Sequence, residues 1–115
     1  MRLTEKRCVP CEGGVKPLTT KQIQPYLTEV PGWKVLDGKK IRKEFMFKDF
    51  REAMAFVNRV AELAEAEGHH PDIAISYAAV TLGLSTHVAG GLTENDFILA
   101  AKIDQVLGDN PAAAL

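Results

Sequence analysis

A chain of 115 residues has the length of one domain, which excludes a multi-domain reading, and at this size it buries about two thirds of its unfolded surface. Its 46% hydrophobic and 25% charged residues are those of an ordinary globular protein, and no apolar run approaches the roughly 18–20 residues of a bilayer span. The formal net charge of −1 argues against wholesale neutralisation of nucleic-acid phosphate, yet residues 1–48 carry 11 basic and 5 acidic side chains while residues 49–115 carry 3 and 10.

The two halves are therefore expected to attract each other across one fold; a basic docking face is the alternative. The stretch Met1 to Arg7 has no apolar segment behind it, so no secretory signal is visible and a cytoplasmic location is expected. Both cysteines, Cys8 and Cys11, fall in a Gly-containing leader, residues 1–17, expected to be a flexible arm with reduced thiols. A zinc ribbon needs a second ligand pair at comparable spacing, and a redox Cys-x-x-Cys follows a strand and opens a helix; this pair does neither. A site shared between subunits is the alternative.

Thr19-Thr20-Lys21-Gln22 reads as a capping box opening a short helix, bent or interrupted at Pro25 and ended by Pro31-Gly32. Trp33–Leu36 and Ile41–Phe47 read as strands joined by the hairpin turn Asp37-Gly38, with Ile41, Phe45 and Phe47 on one face and Arg42, Glu44 and Met46 on the other. Asp49 to Glu67 is the clearest helix. Phe50, Ala53, Met54, Val57, Ala61 and Ala64 form its core stripe, and Phe56, Val60 and Leu63 form a second stripe beside it. The two cover about half the circumference, so the second is expected to meet another subunit; a deeply buried central helix is the alternative.

Gly68 is expected to cap that helix and Pro71 to block its continuation. Ile73, Ile75 and Tyr77 alternate with Ala74 and Ser76 as in a half-buried strand, and Val80, Leu82 and Leu84 repeat the pattern. After Gly90-Gly91, Thr93-Glu94-Asn95-Asp96 opens a last helix carrying Phe97, Ala100, Ala101, Ile103, Asp104 and Leu107. The order α-β-β-α-β-β-α predicts an α+β domain, a four-stranded antiparallel sheet with three helices packed on one face. Residues 109–115 form a short Ala-rich tail.

All three histidines fall at element ends in the acidic half, His69-His70 after the long helix and His87 after the last strand, where function concentrates. A four-stranded sheet can bring these junctions together, with Glu65 and Asp96 nearby. Helix-dipole and rim positions account for the histidines equally simply, and capping of the last helix accounts for Asp96. A functional cluster would be either a metal site or metal-free acid/base chemistry, for which an imidazole with a pKa of about 6.5 is suited. The adjacent His69 and His70 diverge, unlike an i, i+4 zinc pair. No nucleophile elbow or phosphate loop is present. The one basic cluster, Lys39-Lys40-Ile41-Arg42-Lys43, has no stacking aromatics among its charges, so direct nucleic-acid binding is not expected.

Glu65, His69-His70-Pro71, Tyr77, His87 and Asp96, at their mutual spacing, resemble the signature of the pterin-4a-carbinolamine dehydratase family, and the resemblance extends from about Leu18 to Leu107 within a domain of residues 18–108. It implies dehydration of 4a-hydroxytetrahydropterins to quinonoid dihydropterin in tetrahydropterin recycling, without metal or cofactor. It further implies His69, His70 and His87 as catalytic residues, and Glu65, Gly68, Ser85, Thr86, Val88 and Asp96 as substrate-binding ones. Members typically form tetramers through their long helices, which implies a homo-oligomer, dimer or tetramer, through Asp49 to Glu67. Some members serve as dimerisation partners of transcription factors, which makes a non-catalytic coactivator using Phe56, Val60 and Leu63 the alternative. Where some relatives carry a polar side chain at Gly68 and many an aromatic one at Ile73, this chain lacks a hydrogen-bond partner beside His69 and one wall of the pocket.

Overall fold

The computed structural model describes residues 2–10 and 14–108; Cys11 and the expected tail at 109–115 lie outside them. Among the described residues the helices are α1 (Thr20–Leu27), α2 (Phe50–Glu67) and α3 (Glu94–Gly108), and the strands are β1 (Lys34–Leu36), β2 (Lys40–Met46), β3 (Asp72–Ser76) and β4 (Ala79–Leu84). Single 3-10 turns occupy Leu3–Glu5 and His87–Ala89. No helix among these residues is long and apolar enough to cross a membrane.

Local chemistry accounts for most boundaries. The capping box of α1 is closed in both directions, Gln22 N–H donating to Thr19 Oγ1 at 3.2 Å and Thr19 N–H to Gln22 Oε1 at 2.9 Å. Pro25 sits inside α1 and the helix continues to Leu27; in a helix this short the proline removes one hydrogen bond and ends nothing. Asp37 and Gly38 take positive φ of 53° and 68°, the left-handed pair that a tight antiparallel hairpin requires. Asp49 caps α2 by accepting from Glu52 N–H at 2.9 Å, and Gly68, at φ 67°, ends it in the left-handed region.

The sheet runs β1-β2-β4-β3, every neighbour antiparallel. At its centre Ile41 pairs with Leu84 and Phe45 with Val80, and these four side chains with Leu82 form the buried floor of the core. Arg42, Glu44 and Met46 point to the opposite, exposed face. α3 is the central helix: Phe97, Ile98, Leu99, Ala100, Ala101 and Ile103 are all buried, so its apolar residues run all round rather than in one stripe.

α2 departs from the expectation. Phe56 and Val60, assigned to an outward stripe, are among the most buried side chains, and with Ala53, Val57 and Ala64 they form one face. At 100° per residue that face is an arc of about 100°, lying between the two predicted stripes because it packs against the sheet and α3 together. Phe50, assigned to the core, is 50% exposed, and Ala61, about three turns further along the same side of the helix, is exposed as well. The apolar surface that α2 presents outward is therefore the Phe50–Ala61 shoulder, not Phe56, Val60 and Leu63. β3 departs as well: all five of its residues are exposed, Ile73 and Ile75 included, because it is a sheet edge.

The leader is docked over residues 2–10, where a flexible arm was expected. Leu3 is buried in the core cluster, and Lys6 Nζ reaches Glu94 at 2.7 Å. That pair, Lys40 with Asp72 at 2.7 Å and Lys43 with Asp104 at 3.0 Å all join the basic half to the acidic half. Asp104 also accepts from Trp33 Nε1 at 3.1 Å; burial pushes its carboxyl above the ordinary value in spite of the Lys43 ammonium.

Candidate active site

Four chain segments converge on a pocket of about 290 Å³: Gly68, His69 and His70 after α2, Ser85 to Val88 after β4, Val9 and Pro10 of the leader, and Asn95 in the first turn of α3. The first group is placed by the left-handed turn at Gly68, after which both Gly68 and His69 N–H donate to the Ala64 carbonyl. The second leaves β4 through a bridge between Thr86 and Gly91, Thr86 N–H donating to the Gly91 carbonyl at 2.8 Å. That bridge closes a loop whose turn, His87–Ala89, carries the third histidine.

Beneath the pocket lies Asp96, fully buried in the first turn of α3. One carboxylate oxygen accepts from His69 Nε2 at 2.6 Å. The other accepts from Thr86 Oγ1–H and from Thr93 N–H, each at 2.9 Å, and Thr93 Oγ1 lies 2.9 Å from Thr86 Oγ1. A buried carboxylate is tolerated when its lone pairs are met, and three donors meet them here. One Asp96 oxygen thus ties down the start of the helix and the other holds the imidazole. With Nε2 donating to a carboxylate, Nδ1 is the nitrogen through which His69 can exchange a proton.

His70 is built differently. Its Nε2 contacts Glu65 Oε2, but the two side chains are 59% and 77% exposed, where a pair is worth little. His87 and Val88 are exposed at the rim. Among the described residues no three His, Cys, Asp or Glu side chains are disposed to hold a metal ion.

Gly68, His69, His70, Ser85, Thr86, His87 and Val88 therefore line one pocket, and Glu65 and Asp96 touch it through histidines. Tyr77, part of the quoted signature, is in the β3–β4 turn at φ 51° and largely exposed. Ile73 lies in a separate depression with Lys40, Arg42 and Thr81, so within this chain it is not a wall of the histidine pocket. Residues missed by sequence reasoning are Val9, Pro10 and Asn95. Asn95 Oδ1 accepts from Val9 N–H at 3.0 Å and its Nδ2 donates to the Val9 carbonyl at 2.7 Å. Nothing local marks a partnership between residues 86 positions apart.

Beside the pocket, Glu67 accepts from Cys8 N–H at 2.9 Å and from Lys102 Nζ at 2.6 Å. Burial opposes ionisation of Glu67, but Lys102, the Cys8 amide and Arg7 outweigh it and hold its carboxyl below the ordinary value. Burial, reinforced by the Glu67 charge, pushes the Cys8 thiol up to about 12, which leaves it inert as a nucleophile near neutral pH.

Residues 16–106 match the family model described as pterin 4 alpha carbinolamine dehydratase. A protein of Rubrobacter xylanophilus is 48% identical over 104 residues, 90% of this chain and 97% of that one. One of Halorhodospira halophila is 50% identical over 105 residues, 90% and 96%; both are provisionally named pterin-4-alpha-carbinolamine dehydratases. A crystal structure from Brucella melitensis, described as a transcriptional coactivator/pterin dehydratase, superposes with a TM-score of 0.75 at 35% identity over 79% of this chain and 98% of that one. With the family model spanning most of the chain and near-full-length relatives at about half identity, the chain belongs to the pterin-4a-carbinolamine dehydratase family.

Proposed function

We propose that this protein dehydrates 4a-hydroxytetrahydropterins to quinonoid dihydropterin, in support of tetrahydropterin recycling, by acid/base chemistry of His69, His70 and His87. The observation that carries the reading is the buried Thr86–Asp96–His69 chain beneath a pocket lined by all three histidines. The reaction breaks the C–O bond at the carbinol carbon. The oxygen takes a proton from an imidazolium and leaves as water, the neighbouring ring N–H gives its proton to a neutral imidazole, and that bonding pair closes a C=N bond. Imidazole serves both roles near neutrality. Ser85 and Thr86 offer hydroxyl and backbone groups to the polar edge of the bicycle, Gly68 and Val88 shape its rim, Asp96 holds His69, and Glu65 holds His70.

Stopped-flow turnover of synthetic 4a-hydroxytetrahydropterin tests this. His69→Ala and His87→Ala should each lower the rate about 10²-fold, the scale of a lost acid/base group; near-full activity in both would reject the assignment.

A second reading is favoured by the Brucella protein's description as a coactivator and by the outward apolar residues Phe50, Ile73 and Ile75. In this reading the chain self-associates, as dimer or tetramer, or docks a transcription regulator through the α2 shoulder. A change of oligomeric state, or loss of a stoichiometric partner, on Phe50→Glu supports it. Val60→Glu does not test it, because Val60 is in the core.

A further inference from the structure

We propose that Val9 and Pro10 form a wall of the pterin pocket, a specificity-determining segment supplied by the leader and held in place by Asn95. The inference rests on the dehydratase reading for the identity of the ligand, but on separate observations for the wall. Both residues line the same pocket as His69, His70, Thr86 and His87, although they lie outside residues 16–106, over which the family model matches.

The attachment is built. The Asn95 carboxamide addresses both polar groups of one residue, taking the Val9 N–H at 3.0 Å and giving to the Val9 carbonyl at 2.7 Å, much as a neighbouring strand would. One residue earlier, Cys8 N–H donates to Glu67 Oε1 at 2.9 Å and the Cys8 thiol to the Asn95 carbonyl at 3.5 Å. Glu67 is itself held by Lys102 at 2.6 Å. Backbone anchored this way needs little further ordering when a ligand arrives, which favours affinity.

The anchored residues are also the right kind. Val9 is 65% exposed, an apolar side chain held at the edge of a pocket whose other lining residues are mostly histidine, serine, threonine and asparagine. A reduced pterin is a flat bicycle with polar edges and apolar faces. Imidazole and hydroxyl groups suit its edges; Val9, Pro10 and Val88 suit a face or the carbon side chain it bears. Asn95 is a positioning residue here, acting on the ligand through Val9.

The test uses the full chain and 7,8-dihydrobiopterin, which lacks the 4a-hydroxyl and cannot react. Calorimetry on the double variant Val9→Ala/Pro10→Ala, which trims the two exposed side chains without introducing glycine's backbone freedom, should show Kd raised about tenfold, the scale of a lost apolar contact. Asn95→Ala, which releases the segment without changing its side chains, should weaken binding in the same direction. Hydrogen exchange at the Val9 amide of the unaltered chain should slow further when the pterin is added, a response that a merely structural leader would not give. Binding by the double variant within twofold of the unaltered chain, with Val9 exchange indifferent to ligand, would overturn the wall while leaving the dehydratase reading intact. Failure of the unaltered chain to bind the pterin at all would overturn that reading, and the wall with it.

Discussion

Two helix ends meet at the pocket, and they obey opposite electrostatic rules. The first turn of α3 carries Glu94 and Asp96, where carboxylates complement the helix dipole and each gains typically 0.3–1 kcal/mol. The last turn of α2 carries Glu65 and Glu67 and no basic residue, where the same dipole disfavours them by a similar amount. Both of these last-turn carboxylates are nevertheless met from outside the helix, Glu65 by His70 and Glu67 by Lys102 and the Cys8 amide. Carboxylates that suit their own helix conceal a second role, as Asp96 does by capping and holding His69 at once. Carboxylates that oppose it point directly to a partner elsewhere.

Burial then ranks what each is worth. Asp96 is fully enclosed, so Asp96→Ala strands three donors and should cost about 2–4 kcal/mol in urea unfolding, together with a fall of about 10²-fold in turnover. Asp96→Asn separates the two effects. Its amide can keep the capping oxygen toward Thr86 and Thr93 while presenting N–H to His69, which forces the imidazole into the opposite tautomer. The expected result is a stability loss of about 1 kcal/mol with turnover still depressed about 10²-fold. Equal recovery of stability and activity would mean that Asp96 acts on folding alone.

Glu67 is intermediate, its side chain 8% exposed and its partner Lys102 13%. Glu67→Gln keeps an acceptor for the Cys8 amide and loses the charge-assisted bond, for a cost of about 1–2 kcal/mol at neutral pH. Because the folded carboxyl titrates below its ordinary value of 4.5, this stabilisation is complete above pH 4.5 and is lost as pH falls through the folded value. The unfolding free energies of parent and variant should therefore converge on acidification; a gap independent of pH would locate the effect in packing.

What was readable in the chain follows the range of the interaction responsible. The Thr19 capping box, the Asp37-Gly38 turn and the Gly68 cap are settled within four residues, and each was expected. The phase of the α2 stripe is not local: Phe56 and Val60 are buried because the sheet and α3 both lie on that side, and Phe50 is exposed because neither reaches it. Apolar alternation in β3 cannot reveal that it is a sheet edge. The histidines and Asp96 were singled out by their place at element ends and by the spacing of a family signature. The Asn95–Val9 clamp had no signature to carry it, since the quoted pattern begins at Glu65 and the leader lies far upstream.

The weakest carboxylate gives the finest discrimination. The Glu65–His70 pair is largely in solvent, where Coulomb attraction is screened and side-chain entropy opposes it. Glu65→Gln should thus change stability by less than about 0.5 kcal/mol. Its effect on turnover depends on whether His70 needs its partner during the reaction. A role in positioning His70 predicts a fall of roughly two- to tenfold, deepest at low ionic strength in comparison with the parent, because salt already weakens the parent's pair. Indifference of turnover to the substitution at every salt concentration would leave His69, backed by a carboxylate that salt cannot screen, as the imidazole on which the site depends.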